Sequence, residues 1–590
     1  MSMTLRDSLA RHTVAELKDL VSHLPGAGSA GRKDELVERI VGTLLGPGVQ
    51  AIWSALDETQ KAAVAEAVHH PRGEYSERCF RARYLRVPSF QVASAKSSGY
   101  SASKSSALAL FLHYSPDESC YCVPTDLQAR LQAFVLPPAP LSLQSSETLA
   151  EDESLTIRLT EREALQEVAV MLRTIEQARV LVSEKTSTPG TATLRLLSEK
   201  LAGGDFYPSV EKKERWGQEI GPIKAFAWPM LLQAGGLAVR VGTRLVISPA
   251  GIKGLSMPSA EVLRGLWRKW LKTTLFDEFS RVDTIKGQNS KGRVMTAAAP
   301  RRAPIEETLR DCPVGRWITF DDFSRFMRAS DRHFEVTHDT WKLYLCERQY
   351  GSLGFNGSGG WNILQERYLL AVLFEYAATL GLVDVAYHDP ADARNDFSDL
   401  WGTDELSFLS RYDGLTAFRV TPLGAYLLGL EAAYRPLAIV SSVALSVSPD
   451  LRVNVVAGAL AAEEALLLES WAVAEHGGWR LDRDKALLAM EKGHAIAELK
   501  GFLASAHELP LPESVDSFLQ FCERNGQALK TVGSAVLIEC RDTDIADEIA
   551  GRRETGSLCL RAGPRMLVVR SDQVDKFRER VRLLGFGMMS

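Results

Sequence analysis

Few places in this chain put reactive side chains at a spacing that could do chemistry. Cys120 and Cys122 stand two apart, but no second Cys/His pair follows at zinc-ligand spacing, so they read as half-buried strand cysteines. The glycine-rich run 351–360 lacks the Lys-Ser/Thr that a phosphate-binding loop requires, and it reads as a flexible loop. There is no Gly-x-Ser-x-Gly elbow, no His-Glu-x-x-His pair and no Gly-x-Gly-x-x-Gly after a strand. His69-His70, the only adjacent histidines, precede Pro71 at a helix end. The sequence therefore points to no catalytic residue, no metal and no cofactor. What it does gather locally is positive charge, the chemistry that meets phosphate.

The elements that would position those charges belong to a long chain. It has 590 residues, with 69 Lys+Arg against 74 Asp+Glu, a net charge of −5. At about 100–200 residues per domain this implies three to five domains. A slightly acidic total excludes a uniformly basic binder and leaves local basic patches open. The eight cysteines are dispersed, which argues against a disulfide framework. No apolar run approaches the ~20 residues of a membrane helix, and residues 1–11 hold no signal-peptide core. The expectation is a cytoplasmic protein, nucleoid association included, with no membrane partner.

Thr13 and Glu16 form a capping box, and Leu17, Leu20 and Val21 share one helical face, as do Leu36, Val37 and Ile40. Residues 25–31 break the two helices apart. With Gly31, Lys33, Leu36 and Arg39 in a Gly-x-Lys-x-x-Leu-x-x-Arg pattern, residues 13–45 resemble the SAP module, a small DNA-binding helical hairpin. The resemblance implies that Arg32 and Lys33 meet phosphate at the start of the second helix, with Lys18 and Arg39 nearby. A helix start favours anions on general grounds as well. A plain hairpin for protein contact is the alternative. The expected division is 1–46 for this module and 50–136 for a helical, winged-helix-like domain. Within the latter, Arg78, Arg81, Arg83, Arg86, Lys96 and Lys104 face no acid over 78–104; they form either a phosphate-contacting loop or a solvated face. Residues 137–154, rich in Pro and Ser, read as a linker.

Helical patterns at 161–172, 191–201 and 223–233 precede a hairpin at 237–247 that turns at Gly242-Thr243. The same grammar recurs: a helix at 305–312, a short strand at 317–319, a helix at 320–327, a strongly amphipathic helix over 365–380, and strands near 381–385 and 418–421. Ser248-Pro249-Ala250-Gly251 and Thr421-Pro422-Leu423-Gly424 close the two units alike. The chain thus reads as tandem winged helix-turn-helix domains, 155–256 and 305–432, the second carrying an insertion at 328–362 and an acidic stretch at 384–413. Arg240 and Arg244 on the first hairpin point to DNA. Between the two lies a helix and basic linker, 257–304. Its residues 264–302 carry ten basic against three acidic residues, +7, and 286–300 reads as disordered. Arg301 and Arg302 would belong to a basic arm.

Residues 436–590 read as strands at 444–455, helices at 461–476 and 482–492, a helix after Leu509-Pro510-Leu511-Pro512, a strand at 536–540, a helix at 543–551, a strand pair near 558–569 and a final helix at 574–584. With Ser448-Pro449-Asp450-Leu451-Arg452-Val453, Val532-Gly533-Ser534-Ala535 and the ending 581–586, this order resembles the helicase-associated domain of XPB-type DNA helicases. The resemblance implies a DNA-engaging domain beside a superfamily 2 motor, yet this sequence lacks the motor's phosphate loop. Lys576 and Arg580 share a stripe on the final helix. The expected fold class is α+β, mainly helical and multidomain. The expected function is a non-enzymatic DNA-binding scaffold that positions a separate superfamily 2 helicase/ATPase or nuclease, in DNA repair or antiviral defence. The alternatives are a protein–protein interaction hub and an enzyme whose site has no recognisable motif.

Overall fold

The computed structural model describes residues 3–26, 31–91, 104–116, 119–177, 180–207, 218–355, 360–391, 393–435, 443–507 and 509–589. It is mixed α+β, with many helices and five small antiparallel sheets among the described residues. Two compact units emerge, residues 1–442 with 458–467 and residues 443–457 with 468–590. No helix among the described residues is long and apolar enough to cross a membrane.

In the first unit, Leu17, Leu20 and Val21 of the helix Val14–Val21 and Leu36, Val37 and Ile40 of Lys33–Leu45 are buried, as their spacing requires. Thr13 Oγ1 accepts from the Glu16 N–H while Glu16 accepts from the Thr13 N–H, so the capping box forms. The hairpin does not stand alone. Its buried face joins Phe80, Phe111, Leu127 and Leu131 in one core over residues 5–135. Instead of a single helix near residue 53–68, the chain forms Val49–Ala55 and Glu58–His69, separated at Asp57, which caps the second. Where a helix was expected near 105–113, a 3-10 turn Ala107–Leu110 leads into the strand His113–Ser115. That strand flanks Cys120–Cys122, so the two cysteines do lie on a strand, one part-buried and one buried.

A second cluster of buried side chains runs from Ala164 to Leu428. The two units of the repeat share it, and the strand Thr156–Arg158 of the first pairs with Val383–Tyr387 of the second. The closing motif has one physical meaning in both. Ser248 and Thr421 cap the helices Pro249–Leu255 and Pro422–Leu428, with the proline at the first helical position. Their N–H groups donate to Leu237 O and Leu382 O, both at 3.0 Å. Their hydroxyls donate to Gly236 O and Gly381 O, both at 2.7 Å. A Cβ on Gly251 or Gly424 would lie 2.2 or 2.1 Å from those same leucine carbonyls. Only glycine lets the helix start approach the strand start this closely.

Two expectations for this region are corrected. Residues 286–300 are not a disordered tether: Lys286 bridges to Tyr344, Met295 bridges to Thr337, and Ala298–Arg310 is a helix. The helix expected to be amphipathic over 365–380 is instead buried all round, from residue 363 to 377. Two of its charges are paired inside, Arg367 with Asp396 and Asp413 and Glu375 with Arg281, while Glu366 accepts from the Ser324 hydroxyl.

In the second unit, Ala444–Val447, Arg452–Ala457, Gly478–Leu481 and Ala472–Glu475 form one sheet, in that order. The helix expected over 461–476 therefore ends at Trp471 and gives way to a hairpin. Pro512 caps Glu513–Asn525. The strands Ala535–Glu539, Met566–Arg570 and Cys559–Gly563 make a second sheet, backed by Thr543–Gly551 and Val574–Leu583 around Leu567, Val569, Phe577 and Val581.

Candidate nucleic-acid interface

The basic side chains singled out by sequence fall in several places. Lys18 is exposed on Val14–Val21, and Arg32 caps Lys33–Leu45 and is exposed. Arg39 is exposed two turns further along. Lys33 is held differently, its Nζ donating to Ala10 O at 2.7 Å. At the helix start, Glu35 accepts the Arg32 N–H at 3.0 Å, and Asp34 stands beside it in the first turn. A phosphate at this terminus would have to displace a carboxylate that already serves the dipole. Exposed Lys18 and Arg32 are the freer contacts.

Beneath the hairpin, His113 is buried, its Nε2 3.1 Å from Leu110 O and its ring edge-on to His12. Burial lowers its imidazole to about 4, despite that bond.

On the hairpin Ala238–Val241/Arg244–Ile247, Arg240 donates to Ser187 Oγ at 3.1 Å and Gly242 O at 3.0 Å, which pins it. Arg244 across the turn is exposed. The helix before this hairpin, Lys224–Ala234, buries residues 224–232. Lys224 donates to Glu163 and Glu167 at 2.6 and 2.7 Å, and Trp228 Nε1 to Glu167 at 2.8 Å. This helix over 224–232 and its counterpart over 363–377 are walled in, so neither stretch presents a face to a major groove.

Arg301 and Arg302 are not a DNA-binding arm. They are 1% and 0% exposed. Arg301 pairs with Asp277 at 2.8 Å. Arg302 pairs with Glu278 at 2.7 Å and donates to the carbonyls of Trp270 and Thr273, each at 2.7 Å, with its guanidinium over the Trp270 ring. Burial pushes the Glu278 carboxyl up, and Arg302 opposes this. Guanidiniums with five donors suit such carbonyl-lined corners.

Three of the four arginines of the run 78–86 are likewise paired, and Arg86 is exposed. The run lies mostly on the helix Glu77–Tyr84, where Arg81 pairs with Glu77, Arg83 with Glu66, and Arg78 with Asp331. Lys96 lies outside the described residues, as do 27–30 and 356–359 of the two glycine-rich loops. In the second unit, Lys576 and Arg580 are exposed on Val574–Leu583, beside its buried Phe577 and Val581.

The structure thus gathers Lys18, Arg32 and Arg39 on one helical hairpin, puts Arg244 at a hairpin turn, and sets Lys576 and Arg580 on one helix face. Sequence reading missed Cys79, Asp331 and His333, which converge although 252 and 254 residues separate the cysteine from the other two. No family model matches the chain, and no curated protein matches it either.

Proposed function

We propose that this chain is a non-enzymatic DNA-binding scaffold that positions a separate helicase or nuclease, in DNA repair or antiviral defence. One contrast carries the reading. Arg78, Arg81, Arg83, Arg281, Arg301 and Arg302 of the two basic runs are spent on acids, whereas Lys18, Arg32, Arg244, Lys576 and Arg580 are exposed and have no acidic partner among the described residues. Exposed cations without partners are what phosphate contacts require. Because the helices before the two hairpins are buried, contact would come from helix ends and a hairpin turn, binding backbone rather than reading bases. The winged-helix and SAP-like identities belong to the same proposal, supported by the helix–hairpin order and the repeated closing motif.

A second reading, the interaction hub, is favoured by the outer face of the last sheet. Leu537 and Leu560 are 59% and 74% exposed and flank Val568 in register. Such a row on a free sheet face suits a protein partner.

DNA binding by the full chain at low and raised salt separates the two. Salt-sensitive binding that Lys18→Glu/Arg32→Glu weakens supports the scaffold. Absence of binding to single-stranded, duplex and forked DNA transfers the weight to the hub.

A further inference from the structure

The helix Glu77–Tyr84 and the turn after Phe320–Ala329 bring three ligand-type side chains together. Cys79 sits in the first turn of its helix, its N–H donating to the capping Ser76 Oγ at 3.3 Å. Asp331 adopts a left-handed conformation, φ 57°, which ends the other helix and turns its carboxylate toward Cys79. His333 follows two residues later, its ring edge-on to Trp361. The three atoms form a near-regular triangle: Cys79 Sγ to Asp331 Oδ1 is 3.4 Å, His333 Nε2 to Asp331 Oδ1 is 3.4 Å, and Cys79 Sγ to His333 Nε2 is 3.9 Å.

Two of these lengths are those of a coordination polyhedron, and the third, Cys79 to His333 at 3.9 Å, is a few tenths of an ångström longer. Zinc bonds of about 2.3 Å to sulfur and about 2.0–2.2 Å to nitrogen and oxygen, at tetrahedral angles, separate the ligand atoms by roughly 3.3–3.6 Å. The arrangement does not fit a cysteine nucleophile with a relayed base. There the carboxylate would hold the far imidazole nitrogen, whereas here Asp331 meets the same Nε2 that faces the sulfur, and Nδ1 has no partner.

We infer that Cys79, Asp331 and His333 form a zinc site with a fourth position left to water. Thiolate and carboxylate together balance the charge of a divalent ion, and imidazole completes a donor set that suits zinc. Arg78, 3.7 Å from Asp331 Oδ1, and Arg328, over the Trp361 ring that packs on His333, are nearby charges that oppose the ion. Access is open on the carboxylate side, where the Asp331 side chain is 71% exposed against 11% for His333. Binding converts the Cys79 thiol to thiolate, its proton passing to water. The ion would tie the core over residues 5–135 to the core over residues 164–428.

The test uses the full chain, stripped with a chelator and titrated with Zn²⁺ in competition with a chromophoric chelator, then with Co²⁺. One equivalent of zinc is expected, with a thiolate-to-cobalt charge-transfer band on Co²⁺ binding. Cys79→Ser and His333→Asn should each weaken zinc binding by more than about 100-fold and abolish the band. Cys346→Ser, at an exposed cysteine elsewhere, should change neither. In the unsubstituted chain, zinc should slow alkylation of Cys79 and leave Cys346 unaffected, a readout independent of variant folding. Zinc bound equally well by Cys79→Ser, or no zinc bound and no protection of Cys79 in the folded chain, overturns the inference.

Discussion

Arg302→Met distinguishes a buried structural cation from a phosphate contact. In the structure Arg302 is fully enclosed, pairs with Glu278, donates to Trp270 O and Thr273 O and stacks on Trp270. Methionine fills comparable volume but leaves Glu278 with the Tyr368 hydroxyl as its remaining side-chain donor, at 2.9 Å. Removing one partner of a buried ion pair costs about 3–5 kcal/mol, because the other charge stays enclosed. That is roughly two to three and a half powers of ten in the folded-to-unfolded ratio. Arg310→Met, which breaks the exposed Arg310–Glu306 pair, is the control and should cost about 0.3–0.5 kcal/mol. Replacing both buried partners, Glu278→Leu with Arg302→Met, should restore part of the loss. Denaturant unfolding followed by hydrogen exchange around Trp270 reports the first unit's own transition. DNA affinity across a salt series is measured beside it. If Arg302→Met keeps wild-type stability and instead lowers the salt dependence of DNA binding, the enclosed ion pair is refuted and Arg302 is a phosphate contact.

Other outcomes are expected. The ordinary imidazole value is 6.5 and His113 lies at about 4, so between these pH values the unfolded chain binds more protons than the folded one. Stability of the core around His113 should therefore fall as pH drops from about 6.5 to 4, by roughly 3 kcal/mol in full, and His113→Phe should flatten that fall in urea titrations at each pH. Gly251→Ala and Gly424→Ala each drive a methyl against a leucine carbonyl and should each cost about 1–3 kcal/mol, seen as a lower unfolding midpoint; Gly265→Ala, with open space around it, should not. Lys18→Glu/Arg32→Glu removes two phosphate contacts, so the slope of log K against log salt should fall by about 1.8; an unchanged slope removes the hairpin from the interface.

What the sequence made legible was local. The Thr13/Glu16 box and the apolar spacing of both N-terminal helices involve neighbours three or four residues apart, and they appear as expected. The Ser-Pro-x-Gly and Thr-Pro-x-Gly motifs were visible as a repeat, although the reason, a carbonyl against the glycine, needed the fold. What failed depended on distant partners. Arg301 and Arg302 counted as solvated because Asp277 and Glu278 stand 24 residues upstream. Arg367 and Glu375 made residues 365–380 read as amphipathic, since their partners Asp413 and Arg281 are 46 and 94 residues away. Ala472–Glu475 continues a helical pattern, yet pairing with Gly478–Leu481 makes it a strand. Cys79 and His333 carry no shared spacing at all.

The same separation decides what the proposed function can mean. A net charge near balance hides two populations of cations, one spent on folding and one left outside. Summing over residues 264–302 mixes them, because Arg281, Arg301 and Arg302 are already paired with carboxylates. Only the outward population can change DNA affinity without changing stability. The helices placed before the hairpins, where a groove-reading helix would sit, contribute their side chains to the core instead. Phosphate contacts position a protein but carry no base information. On the proposed function the chain therefore binds without base preference, and any choice of DNA site must come from DNA shape or from the partner. The row Leu537, Val568 and Leu560, exposed at its two leucines, is the surface on which such a partner can be sought, and a charge introduced there, Leu537→Glu, should leave DNA affinity intact while breaking partner recruitment.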